Sequence, residues 1–129
     1  MSADSPRILC VDDDPDVLSF LKIVLESEGY RFVGAASAEE GLAVYGESAP
    51  DLIILDLMME EVDAGTSFVR KLKLAGCDVP IFMLSSVGDS LSLTADYSSL
   101  GLAGIFQKPL DRNVLLKVVR VALGEPSPA

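Results

Sequence analysis

Asp51-Leu52-Ile53-Ile54-Leu55-Asp56-Leu57-Met58-Met59 is an apolar run of strand length with a carboxylate, Asp56, set near its end. Such a run is most at home as a central strand of a parallel sheet, covered on both faces. An ionised carboxylate is costly to bury in a sheet centre, so Asp56 belongs at the strand's carboxyl end, facing a crevice. Open α/β sheets bind their ligands along that edge.

Working outward, strand-like and helix-like patterns alternate, the signature of a parallel α/β domain. Arg7 to Val11 is an apolar strand that runs into Asp12-Asp13-Asp14-Pro15. Asp14 suits a helix N-cap and Pro15 the first helical position. Val17, Leu18, Leu21, Val24 and Leu25 follow at helical spacing, and Gly29 ends the helix. Tyr30 to Ala35 reads as a second strand, and Ser37-Ala38-Glu39-Glu40 as a capping box opening a short helix through Tyr45. After the central strand, Met59 to Gly65 is an acidic loop, and Phe68, Val69 and Leu72 mark the next helix. Val79 to Ser85 is a fourth strand, and Asp89 to Leu100 a Ser-rich, low-propensity helix. Ala103 to Gln107 is a fifth strand, and Asp111 caps a last helix through Ala122. We expect a tail over 1–6, one domain over 7–123, and a tail or the start of a linker over 124–129.

At 129 residues the chain is one ordinary domain. Its mean hydropathy of +0.40 favours a sheet covered on both faces over a disordered chain. The formal charge of −10 opposes direct nucleic-acid binding, which depends on basic side chains. No apolar stretch approaches the roughly 20 residues of a bilayer crossing, and the start lacks a signal peptide's pattern, so a cytoplasmic location is expected. Cys10 and Cys77 lack metal-ligand spacing and read as reduced structural thiols. Histidine is absent, which removes the Ser-His and Cys-His nucleophile pairs and any phosphohistidine on this chain.

Four polar features fall just after apolar strands: Asp12-Asp13-Asp14, Asp56, Ser85 with Ser86, and Lys108-Pro109. In a parallel sheet they share one edge. Carboxylates gathered there repel one another unless a cation intervenes, and with oxygen ligands alone Mg2+ is the natural ion. Asp56 could then attack phosphorus to form an acyl phosphate, with Lys108 and the Ser85 hydroxyl holding the phosphoryl oxygens. Each feature also has a plainer reading: Asp14 as a cap, a strand-end aspartate or serine satisfying backbone, Lys108 as solvated surface.

As a set, Ile8-Leu9-Cys10-Val11-Asp12-Asp13-Asp14, Leu55-Asp56-Leu57-Met58-Met59, Phe82-Met83-Leu84-Ser85-Ser86 and Gln107-Lys108-Pro109 resemble the response-regulator receiver domains of bacterial two-component signalling. The resemblance covers about Arg7 to Leu123. It implies a doubly wound α/β fold of flavodoxin type, with a five-stranded parallel sheet in the order 2-1-3-4-5 and five helices; that order is the one known for the small chemotaxis regulator of this group. It implies Asp56 as phosphoacceptor, assisted by Ser85 and Lys108, with a cis bond before Pro109. It implies Mg2+ held by Asp12, Asp13, Asp56 and the backbone carbonyl of Met58, with Asp13 and Asp56 as direct ligands. The partners it implies are a histidine kinase or phosphotransfer protein and a downstream protein effector, with dimerisation through the last helices left open. The chain departs from the family pattern at Ile105, where an aromatic switch residue usually stands, with Phe106 beside it. It departs again at Glu60 and over Asp63-Ala64-Gly65, where the loop after the acceptor carries extra length and charge. Met58 and Val87 offer no hydrogen bond to attacking water, so slow loss of the phosphoryl group is expected; polar residues at both positions should shorten its half-life. Two rivals stand beside this reading: an aspartate-nucleophile phosphatase of haloacid-dehalogenase type using Asp12, Asp14, Ser85 and Lys108, and a docking module of the same fold that is not phosphorylated.

Overall fold

The computed structural model describes residues 5–56, 64–85 and 102–124. Five parallel strands form its sheet: β1 (Arg7–Val11), β2 (Arg31–Ala35), β3 (Leu52–Asp56), β4 (Ile81–Ser85) and β5 (Gly104–Gln107), in the order β2-β1-β3-β4-β5. The described helices are α1 (Pro15–Ser27), α2 (Ala38–Ser48), α3 (Ala64–Leu74) and α4 (Arg112–Ala122). The expected helix over 89–100, the carbonyl of Met58, and Glu60, Asp63 and Val87 lie outside the described residues.

The apolar runs are explained by position. β3 and β4 are buried at every residue, as the central strands of a sheet covered on both faces must be. Alternation divides each strand between two cores. Leu9, Val11, Ile53, Leu55, Ile81 and Met83 face Val69 and Leu72 of α3, with Leu42 and Tyr45 of α2 packed against them. Ile8, Cys10, Leu52, Ile54, Phe82 and Leu84 face Leu21, Val24 and Leu25 of α1 and Leu115, Leu116 and Val119 of α4. Each fully buried Leu or Ile side chain contributes roughly 1.5–3 kcal/mol. Both cysteines are free and buried, and burial, with Asp12 nearby, pushes the Cys10 thiol far up, keeping it neutral.

Helix entry follows the sequence signals. The Asp14 carboxylate accepts from Asp16 N at 2.9 Å, with Pro15 in the first turn. Ser37 Oγ accepts from Glu40 N at 3.1 Å, while Glu40 returns to Ala36 N at 2.8 Å, one residue earlier than in the usual reciprocal box. At the far end of α2, Ala49 sits in the left-handed region at φ 49°, which strains an L side chain. Ala49→Gly is therefore expected to raise stability by roughly 0.5–1 kcal/mol, part of the relief being offset by the greater freedom of glycine in the unfolded chain. Urea denaturation checks this; an unchanged or lower midpoint would contradict it.

Candidate phosphoacceptor and metal site

Because all five strands run the same way, the chain leaves β1, β3, β4 and β5 along one edge, and the sequence-distant polar residues meet there. Asp56 is the last residue of β3, paired in register with Leu84 of β4. Ser85 ends β4, and its carbonyl accepts from Lys108 N at 2.7 Å, which ties the end of β4 to the turn after β5. The Lys108–Pro109 peptide bond in that turn is cis. Asp12 follows β1, anchored by its N–H to the Ala35 carbonyl at 3.1 Å.

Candidate ligand oxygens of Asp12, Asp13 and Asp56 all lie within 4.8 Å of one another. Lys108 Nζ bridges two of these carboxylates, 3.2 Å from Asp12 Oδ2 and 3.3 Å from Asp56 Oδ1. Asp12 and Asp56 are buried, Ser85 is buried beside them, and Asp13 is exposed. Asp12 divides its work: Oδ1 accepts from Asp14 N at 2.9 Å, while the buried Oδ2, among the described residues, accepts no hydrogen bond of good geometry and meets the Lys108 ammonium.

That arrangement leaves its mark on protonation. Burial raises the Asp12 carboxyl above its ordinary value, in spite of the Asp14 N–H and the Lys108 charge, and Asp13 adds to the rise. Burial alone would lower Lys108, but the charges of Asp12 and Asp56 outweigh it and raise it. For Asp12 the folded pKa exceeds the unfolded one, so its contribution to stability is fully present below the unfolded value and is lost as pH rises through the folded one. Ionised Asp12 thus works against folding. Asp12→Asn keeps an acceptor for Asp14 N and removes the charge, so the metal-free variant is expected to be more stable at pH 7 by about 1 kcal/mol. The gain should vanish on acidification below the unfolded aspartate value. Chemical denaturation across pH checks it; a variant less stable than wild type at neutral pH would contradict it.

The donor set suits a hard divalent ion: oxygens only, clustered, one of them buried without a hydrogen bond. Every expected site residue within the described segments, Asp12, Asp13, Asp56, Ser85 and Lys108, comes to this edge. The carboxylate of Asp14, the second aspartate of the phosphatase scheme, caps α1. The Lys108 ammonium, expected in one pocket with the acidic side chains, reaches both Asp56 and Asp12. One feature was missed in the sequence. Glu28 at the end of α1 pairs with Arg112 at 3.7 Å and with Arg120 of α4, a link that no local sequence signal announces.

Comparison with known proteins agrees with this geometry. Residues 8–120 match the model of the response regulator receiver domain. The transcriptional regulatory protein GlrR of Escherichia coli is 34% identical over 132 residues, covering 100% of this chain and 29% of its own length. The DNA-binding response regulator MtrA of Mycolicibacterium smegmatis is 35% identical, covering 95% of this chain and 54% of its own. The chain therefore spans between about a third and about half of these relatives. Among solved structures, a CheY-like receiver domain protein from Methanospirillum hungatei superposes with a TM-score of 0.84 at 30% identity, covering 94% of this chain and 95% of its own. The chemotaxis regulator CheY4 of Vibrio cholerae gives 0.82 at 28% identity, covering 92% and 98%. The chain belongs to the response regulator receiver family, the phosphorylation-dependent signalling switches of two-component systems.

Proposed function

We infer that Asp56 is the residue phosphorylated in this switch and that a phosphohistidine on a partner kinase or phosphotransfer protein supplies the group. The observation that carries the reading is the convergence of the Asp12, Asp13 and Asp56 oxygens within 4.8 Å with Lys108 Nζ at 3.2–3.3 Å from two of them. An Asp56 carboxylate oxygen forms the new bond to phosphorus as the nitrogen–phosphorus bond breaks, its electron pair returning to the imidazole ring. Lys108 is within reach of the acceptor to pair with a phosphoryl oxygen, and Ser85, on the neighbouring strand end, supplies a hydroxyl. Asp12, Asp13 and Asp56 would hold Mg2+, together with the carbonyl of Met58. When bound, that ion supplies positive charge against the carboxylates and the incoming phosphoryl oxygens.

The domain is a regulatory acceptor that assists only its own phosphorylation and dephosphorylation. Its output passes to a protein effector, or to a further domain where the chain is part of a longer protein. The charge of −10 argues against this domain touching DNA itself. No described helix is long and apolar enough to cross a membrane, in keeping with a cytoplasmic location.

Incubation with acetyl phosphate and Mg2+ tests the reading. It predicts one phosphoryl group per chain by intact mass, Mg2+-dependent binding of beryllofluoride, and no turnover of a phosphomonoester. Turnover without stoichiometric labelling would instead identify a phosphatase, and absence of both labelling and beryllofluoride binding a docking module.

A further inference from the structure

β2 is an edge of the sheet, and among the described residues nothing pairs with its outer side. Arg31 N donates to the Pro6 carbonyl at 2.8 Å, and the Ala35 carbonyl accepts from Asp12 N at 3.1 Å. Alternation in the parallel ladder therefore turns the backbone groups of Arg31, Val33 and Ala35 toward β1. The N–H and C=O of Phe32 and Gly34 are left pointing off the edge. Proteins blunt open edges with proline, a bulge or a charge within the strand. Arg31-Phe32-Val33-Gly34-Ala35 runs in register without a bulge, has no proline, and carries its one charge at the first residue.

The strand complements its own reverse. Laid antiparallel against a second copy about Val33, it puts Phe32 opposite Gly34 and Arg31 opposite Ala35, so the two largest side chains meet the two smallest. Phe32 and Gly34 would then exchange both backbone bonds on each side of Val33, four in all, satisfying every outward group. Gly34 leaves the room this needs: a Cβ there would lie 2.9 Å from the Phe32 ring of the same strand. Without it, the two Phe32 rings of a pair lie diagonally over two glycines, within reach of each other.

Charge agrees with the same arrangement. At the amino end of β2, Arg7 and Arg31 are register partners and line an open groove with Glu26, Tyr30 and Phe32. Arg7 is engaged by Asp51 and the Ser48 carbonyl, whereas the exposed Arg31 side chain has no hydrogen bond or ion pair among the described residues. At the carboxyl end, the first turn of α2 presents Glu39 and Glu40, both exposed. Glu40 is spent on Ala36 N, and Glu39 accepts no hydrogen bond among the described residues. Only an antiparallel mate brings this acidic turn against the arginine groove, and a two-fold axis does so twice.

We propose that β2 joins two copies of this chain edge to edge, as an antiparallel two-fold pair that extends the sheet from five strands to ten. The pair does not depend on the acceptor reading of Asp56, which lies on β3, beyond β1. A contact of this kind belongs with the weak interfaces below about 1,200 Å². Each copy carries a net charge of −10, so the association is measured in about 0.15 M salt, where charges more than about 8 Å apart are largely screened.

Sedimentation velocity from micromolar to near-millimolar protein compares wild type, Arg31→Glu, Glu39→Lys and an equimolar mixture of the two variants. Wild type is expected to pass from monomer to dimer. Either substitution sets like charges together at both symmetry-related contacts and should weaken the pair roughly tenfold. In the mixture, each contact of the mixed pair joins opposite charges, the two substituted residues at one and the native Arg31 and Glu39 at the other, so association should return to the wild-type level. In wild type, hydrogen exchange at the Phe32 and Gly34 amides should slow as protein concentration rises, with Val33 unchanged. A protein monomeric throughout, or a dimer that both substitutions leave untouched, as one through the last helices would be, would overturn the proposal. So would a mixture no tighter than its components, or exchange at Phe32 and Gly34 that ignores concentration.

Discussion

Lys108→Met is expected to lower the stability of the metal-free protein by about 2–3 kcal/mol, below the roughly 3–5 kcal/mol for removing one partner of a fully buried ion pair. Lys108 keeps 22% of its side chain exposed, which argues for that lower figure, while the Asp12 side chain it serves is fully buried. Methionine preserves the stem and removes the ammonium, leaving Asp12 and Asp56 without the cation now 3.2 and 3.3 Å away. The penalty is the cost of clustered carboxylates, so either of two changes should relieve it: Asp12→Asn in the same chain, or millimolar Mg2+. Urea denaturation in EDTA and in Mg2+ measures all four combinations. Lys108 is raised in the folded state, so its contribution is present below the ordinary lysine value and is lost as pH climbs through the folded one. The deficit of the variant should accordingly narrow in strong alkali. Equal stability of variant and wild type in EDTA would show that the ammonium does not hold these carboxylates together.

Asp56→Asn is expected to abolish labelling by acetyl phosphate, a loss limited only by detection. An amide is a poor nucleophile toward phosphorus, and Asp12 and Asp13 extend from a different strand end. The same substitution removes one of the three clustered charges, so the metal-free variant should unfold at higher urea than wild type. Its stabilisation by Mg2+ should shrink, since binding to the native state stabilises by about RT ln(1 + [Mg2+]/Kd). Loss of labelling together with raised stability separates removal of the acceptor from disruption of the fold. A variant that still took up one phosphoryl group, or one destabilised in EDTA, would contradict this.

Much of the fold is legible because period and burial agree. The run from Asp51 to Met59 places a buried strand, and its observed span, Leu52–Asp56, puts the carboxylate at the very end. The caps at Asp14, Ser37 and Asp111 are local signals, and the chain obeys them. The pairs that act across long sequence separations are a different matter. Glu28 meets Arg112 and Arg120 because α1 and α4 cover the same face of the sheet, and that is decided by topology rather than by local pattern. The bridging position of Lys108 has the same origin: its backbone is fixed by Ser85 and its side chain by two other strand ends.

The adjacent pair Ile105-Phe106 shows how alternation settles a question that composition leaves open. Ile105, opposite Met83, packs on the α2 and α3 side. Phe106 points to the other face, buried and stacked on Phe82 with ring centroids 5.3 Å apart. A one-residue shift along a strand turns a side chain to the opposite face, so the ring at 106 belongs to the core shared with α1 and α4 and does not stand in for the missing aromatic at 105.

The most direct measurement is to locate the phosphoryl group itself. The protein is treated with acetyl phosphate and Mg2+, the acyl phosphate is reduced with borohydride, and the modified residue is read by peptide mass spectrometry. Reduction to homoserine at position 56 and nowhere else, dependent on Mg2+, is the predicted result. Modification at Asp12, Asp13 or any other position, or none under conditions where beryllofluoride binds, would contradict the assignment of Asp56 as the acceptor.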